Sequence, residues 1–285
     1  MNSFFCNTEH RSNAYHNMGF DFAPTFKNYL LLFFLVFNLQ SQPLNAQSKT
    51  AAKDSLLYNK VLLVQFDTTM YLSDAEQEIM QQSAKQPEVY RTYLRKSLNN
   101  KIAAEVETII PCYSLLDDES KQATLATAEI YGESSYAYAE PMKIKHIKNV
   151  KPLSTSSKTK ANEDSKIAPQ YTSVQGDAKY MNAAIQNKNV FEKLSNQYGV
   201  DLFLLINQFE IKTNYNNCID IARQVYKREI IISYSIYNAE GKQLDGNNAQ
   251  AFIASDNNRA SDIAERTFPA IAESIASHIK ALALK

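Results

Sequence analysis

Val200-Asp-Leu-Phe-Leu-Leu-Ile206 is apolar at nearly every position, and so reads as a strand covered on both faces at the centre of a sheet. From Asn207 the pattern alternates through Phe209 and Ile211, as a strand does when it emerges from cover. Immediately before it, Val190, Phe191, Leu194 and Tyr198 stand at helical spacing. Asn187 or Asn189 can cap that helix, and Gly199 suits the left-handed residue after its end. After it, Asn214 to Gln224 reads as a loop leading to Glu229-Ile-Ile-Ile-Ser-Tyr-Ser-Ile-Tyr237, a second strong strand. Asn238-Ala-Glu-Gly241 reads as a hairpin turn, with Ala249 to Ala254 as the returning strand. The last element is a helix that lines up Phe268, Ile271, Ile275, Ile279 and Leu282 on one face, with Pro269 in its first turn or kinking it.

Nearer the amino terminus, Val61-Leu-Leu-Val-Gln-Phe66 is a short apolar run of β-formers closed by Asp67-Thr68-Thr69. Ser73-Asp-Ala-Glu76 has capping-box spacing and predicts a helix over 74–85. Pro87 suits the first turn of another helix, in which Tyr90, Leu94, Leu98, Ile102 and Val106 recur every fourth residue down to about Thr108. Ile109-Ile110 and Tyr113-Ser-Leu-Leu116 supply a further strand, and Glu119 to Tyr131 an alanine-rich helix. Residues 142–170 show no periodic apolar face and read as a flexible insertion over about 140–175, basic at Lys143, Lys145, His146, Lys148 and Lys151. The element order predicts an α+β fold, a mixed sheet packed by helices, in a single domain over 48–285.

The first 47 residues read as a secretory signal peptide, with Met18 as an alternative start. Leu30-Leu-Leu-Phe-Phe-Leu-Val-Phe37, continued by Leu39, is shorter than the ~20 apolar residues a spanning helix needs. The small and polar Leu44-Asn45-Ala46-Gln47-Ser48 offers the cut, placed after Gln47 or one residue away. No cysteine follows the cut to carry a lipid, so the expectation is a soluble, exported, periplasmic protein without a stable membrane anchor after cleavage.

Thirty basic and thirty acidic residues give a formal charge of zero, which leaves no electrostatic footprint for nucleic acid. Cys112 and Cys218 remain beyond the signal; a disulfide between them and two free thiols are both open. With His146 and His278 the only histidines there, a closed zinc site is not expected. Gly132, Gly176, Gly199, Gly241 and Gly246 fall in no phosphate-loop or dinucleotide spacing, so no cofactor is expected.

A hydrolase would turn to His278, and acid-base chemistry on a glycan to Asp117-Asp118 or to Asp201 with Glu210. Asn214-Tyr-Asn-Asn217 with Asp220 offers oxygens to calcium but lacks the spacing of a calcium loop. The chain has 17 tyrosines and no tryptophan, and Tyr131, Tyr136 and Tyr138 crowd together as a candidate partner surface, because tyrosine brings apolar area and a hydroxyl at small entropic cost.

In Lys60-Val-Leu-Leu-Val-Gln-Phe66, Tyr198-Gly-Val-Asp-Leu-Phe203 before a strand, and the hairpin Asn238-Ala-Glu-Gly241-Lys, the chain resembles the TolB amino-terminal domain and the curli-secretion protein CsgG. Lys179-Tyr-Met-Asn182 and Ile206-Asn-Gln-Phe209 also resemble an uncharacterised exported envelope family, which carries no activity over. The resemblance implies a non-catalytic binding or scaffold role in the cell envelope, with an envelope protein as partner. The alternatives are a small-molecule or glycan binder and, less favoured, a hydrolase.

Overall fold

The structure, a computed structural model, describes residues 56–142 and 179–284. The signal segment, His146 and the core of the basic insertion lie outside the described residues.

The expected α+β architecture is present. A mixed sheet runs in the order β3 (Cys112–Ser114), β1 (Val61–Val64), β6 (Leu202–Asp220), β7 (Val225–Asn238) and β8 (Gln243–Ala254), and β2 (Tyr71–Ser73) pairs with β6 beyond the end of β1. β3, β1 and β2 run parallel to their partners, while β6, β7 and β8 form an antiparallel meander.

β6 is as deeply covered as its sequence predicts, with Leu202 to Phe209 buried throughout. Its pairing with β7 shifts register between Ile206 and Gln208, leaving Asn207 as a bulged extra residue. Side chains alternate along a strand, so one added residue changes the phase. Leu202, Leu204 and Ile206 face one core before the bulge, and Phe209 and Ile211 face the same core after it.

That core lies under α2 (Pro87–Glu107) and α5 (Ala260–Ala283). The α2 stripe Tyr90, Leu94, Leu98, Ile102 and Val106 is fully buried, as are Phe268, Ile271, Ile275 and Ile279 of α5. Pro269 stands inside α5, not in its first turn, because the helix begins at Ala260. On the opposite face, α3 (Lys121–Glu133) and α4 (Asn189–Tyr198) cover β3, β1 and the start of β6. α3 is capped by Ser120, whose Oγ accepts from Ala123 N, and α4 ends at Gly199 with φ of 62°.

Three local expectations are corrected. The capping box does not form: Ser73 Oγ accepts from Ala75 N, α1 begins only at Glu76 (Glu76–Ser83), and the Glu76 carboxylate turns to Tyr90 and Arg91. Asp74 instead accepts from Thr213 N and Oγ1, tying β2 to β6. The loop expected over 214–224 is mostly strand, because β6 continues to Asp220 and forms a ribbon with β7 that leaves only 221–224 as the turn.

The third is a pair of unexpected strands. β4 (Ser134–Ala139) follows α3 directly and pairs antiparallel with β5 (Tyr180–Ile185). β5 lies over β6 and β7 through polar contacts: Asn207 Nδ2 donates to Met181 O and Ser235 Oγ, both at 2.8 Å, and Tyr237 Oη donates to Ala183 O at 2.6 Å. Gln243 Nε2 donates to Tyr180 Oη at 2.8 Å and Asn182 Oδ1 at 3.0 Å. The Lys179–Asn182 and Ile206–Phe209 signatures therefore meet in space. Gly246 permits the approach, since a Cβ there would overlap the Tyr180 hydroxyl.

Candidate functional site

β1 and β3 are neighbouring parallel strands whose connections leave for opposite faces of the sheet: β1 leads to α1 and α2, β3 to α3. Such a point opens a crevice beyond the carboxyl ends of the strands, the usual ligand position in open sheets with parallel strands. Two hollows lie there, of about 520 Å³ and about 440 Å³. Each falls within the ~300–1,000 Å³ of small-molecule sites. Arg95 and Leu116 line both, so Arg95 stands between them.

Arg95 is placed by helix periodicity. Arg91, Arg95 and Asn99 succeed one another at four-residue spacing, one position round from the buried stripe, which brings all three to the edge of α2 beside the strand ends. Asn99 is fully buried: its Oδ1 accepts from Ser114 Oγ at 2.9 Å, and its Nδ2 donates to Asp117 Oδ2 at 2.7 Å. Arg95 Nε donates to Phe66 O at 3.1 Å and Nη2 to Tyr131 Oη at 2.8 Å, while Tyr131 Oη donates to Gln65 O at 2.6 Å. Burial pushes the Tyr131 phenol up to about 12 despite the neighbouring guanidinium, so it stays a neutral donor. Arg95 keeps Nη1 without a hydrogen-bond partner among the described residues.

Gln65 is 2% exposed and lines the second hollow, and its buried Oε1 has no hydrogen-bond partner among the described residues. Leaving a buried carbonyl unpaired costs roughly 1–3 kcal/mol, and Tyr71, Tyr198, Asn207 and Tyr234 each carry a buried oxygen in the same state.

The hollows differ in charge. The first carries Arg91, Arg95 and Lys96 against the single acid Glu88. Arg91 is held by Glu76 at 2.7 Å; burial opposes ionisation of that carboxyl, but the hydrogen bonds from Arg91 and Tyr90 outweigh it and hold it below its ordinary value. The second hollow sets Asp118 and Glu119 against Arg95. Tyr113 Oη donates to Asp118 at 2.6 Å and, with Ser120 N, keeps that carboxyl ionised to lower pH.

No family model, curated protein or solved structure matches this chain.

Of the residues singled out in the sequence, Asp118 and Tyr131 line the second hollow. Tyr136 is half-buried on β4, and Tyr138, two residues further along that strand, is 58% exposed. Asp201 holds the start of β1, accepting from Asn59 N, Asn59 Nδ2 and Lys60 N. Glu210 sits on β6 opposite Ile231, and His278 on α5 meets Asp245 at 2.6 Å under the other face. These groups share no cleft.

Cys112 and Cys218 are free thiols, so the disulfide left open by the sequence is not formed. The register sets Cys112 level with Leu202, whereas Cys218 lies roughly 50 Å further along β6 at ~3.3 Å per residue. A disulfide needs Cα atoms within about 7 Å. Burial pushes the Cys112 thiol up to about 12. Asn214 Oδ1 accepts from Asn216 N at 3.2 Å, and Asp220 pairs with Arg223 at 2.6 Å, so these two oxygens considered for calcium serve the ribbon and its turn. Among the described residues no group of three His, Cys, Asp or Glu could hold a metal, and no helix is long and apolar enough to cross a membrane.

Sequence reasoning missed Arg95, Lys96 and Gln65. The available signal was the polar row at positions 91, 95 and 99 beside an otherwise apolar helix face.

Proposed function

We propose that the chain is a non-catalytic binding module of the cell envelope, exported by its first 47 residues, that holds its ligand in the crevice at the ends of β1 and β3. One observation carries the reading: Arg95, fixed from behind by Phe66 O and Tyr131 Oη, keeps Nη1 without a hydrogen-bond partner among the described residues where the two hollows meet. Groups held in place before the ligand arrives bind without a further ordering cost, which is how a binding site differs from a solvated charge on a helix. The strand and hairpin pattern in which the chain resembles TolB-type and CsgG-type domains supports an envelope role through contact and not through chemistry.

The test is capture from envelope extract by the full-length exported protein and by a Leu116→Trp variant, which fills the crevice from a half-buried position lining both hollows. The wild type is expected to retain a reproducible ligand or partner, and Leu116→Trp to lose it while keeping its unfolding midpoint. Equal capture by both rejects the crevice as the site.

A further inference from the structure

The opposite charge of the two hollows bears on what fits them. In the first, Lys96 is exposed and has no ion-pair partner among the described residues, and Arg95 Nη1 beside it is equally free. In the second, exposed Glu119 has no ion-pair partner among the described residues. An acid group is favoured on one side of Arg95, and an N–H donor, best a cationic one, on the other. A ligand with only an acid would leave the Glu119 side unmatched, and one with only an amine would leave the Arg95 and Lys96 side unmatched.

We propose that the crevice takes a peptide-sized zwitterion, with its carboxylate against Arg95 and Lys96 and its ammonium end against Glu119. The proposal rests on reading this crevice as the binding site. An extended tripeptide reaches about 10 Å, long enough to pass Arg95 with one end in each hollow. The Phe66 and Leu116 side chains in the walls would meet its apolar middle.

Calorimetric titration of the full-length protein with trialanine, its carboxyl-terminal amide and its amino-terminal acetyl derivative tests both ends separately. The free peptide is expected to bind, and each blocked form to bind at least tenfold more weakly. Lys96→Ala should weaken the free peptide severalfold yet leave the amide unchanged, and Glu119→Gln should do the same with respect to the acetylated peptide. Both positions are exposed, so these variants retain the fold without relying on Arg95, which also supports the strand ends. Equal binding of the three peptides, or no binding of any, overturns the zwitterion. The binding reading itself is then decided apart from it: if Leu116→Trp still abolishes capture from extract, the crevice binds something of another charge; if it does not, both readings fall.

Discussion

On one face of the sheet, α2 and α5 lay Leu98, Ile102, Phe268 and Ile275 against Phe209, Ile230 and Ile232; on the other, β5 crosses β6 and β7 through Asn207, Ser235, Tyr237 and Gln243. The first contact is dry and non-directional, so its contribution follows buried area and tolerates any side chain of the right volume. The second depends on donors and acceptors at set distances and fixes where β5 lies along the sheet. β5 pairs with β4, and β4 continues α3, whose Tyr131 holds Arg95. The apolar face thus holds the molecule together, while the polar face sets the back wall of the crevice.

The comparison breaks most visibly at Phe209, which packs against Phe66, Tyr71 and Phe268 in the dry core. Phe209→Ala is expected to lower stability by about 3–5 kcal/mol, read as a fall in the urea midpoint at unchanged slope. On the polar face, Gly246→Ala should cost about 1–3 kcal/mol, because its Cβ displaces the Tyr180 hydroxyl. A double-mutant cycle with Tyr180→Ala should recover much of that loss, and strict additivity would show that the glycine serves something other than the approach of β5. The smallest effect is expected for Tyr237→Phe, which removes the single bond to Ala183 O at a cost of about 1 kcal/mol. Amide hydrogen exchange should show its consequence confined to β4, β5 and the end of α3, with α2 and α5 protected as before; loss of protection across both faces would erase the distinction between them.

The dry face was legible residue by residue. The stripe on α2, the stripe on α5 and the alternation in β6 and β7 are periodic, and a period needs only the chain's own spacing to be seen. The brace was not. Tyr180–Ile185 alternates weakly, and its value lies in polar partners on strands far along the chain, such as Asn182 with Ser235 at a separation of 53 residues. The ribbon beyond Asn214 was misread for a related reason: Asn-Tyr-Asn-Asn is turn-forming in isolation, but pairing with β7 satisfies its backbone and extends the strand.

The amino-acid sequence by itself determined the α+β class, the central place of β6 and the hairpin at Gly241, where φ is +69°, because apolar period and glycine's freedom act within a few residues. The tertiary structure alone decided the crevice. Arg95 reaches Phe66 O across 29 residues and Tyr131 across 36, and Gln65 reaches Asn99 across 34. A polar side chain carries no mark of which distant group will hold it, so its role is settled only when the strands and helices that carry both partners are packed.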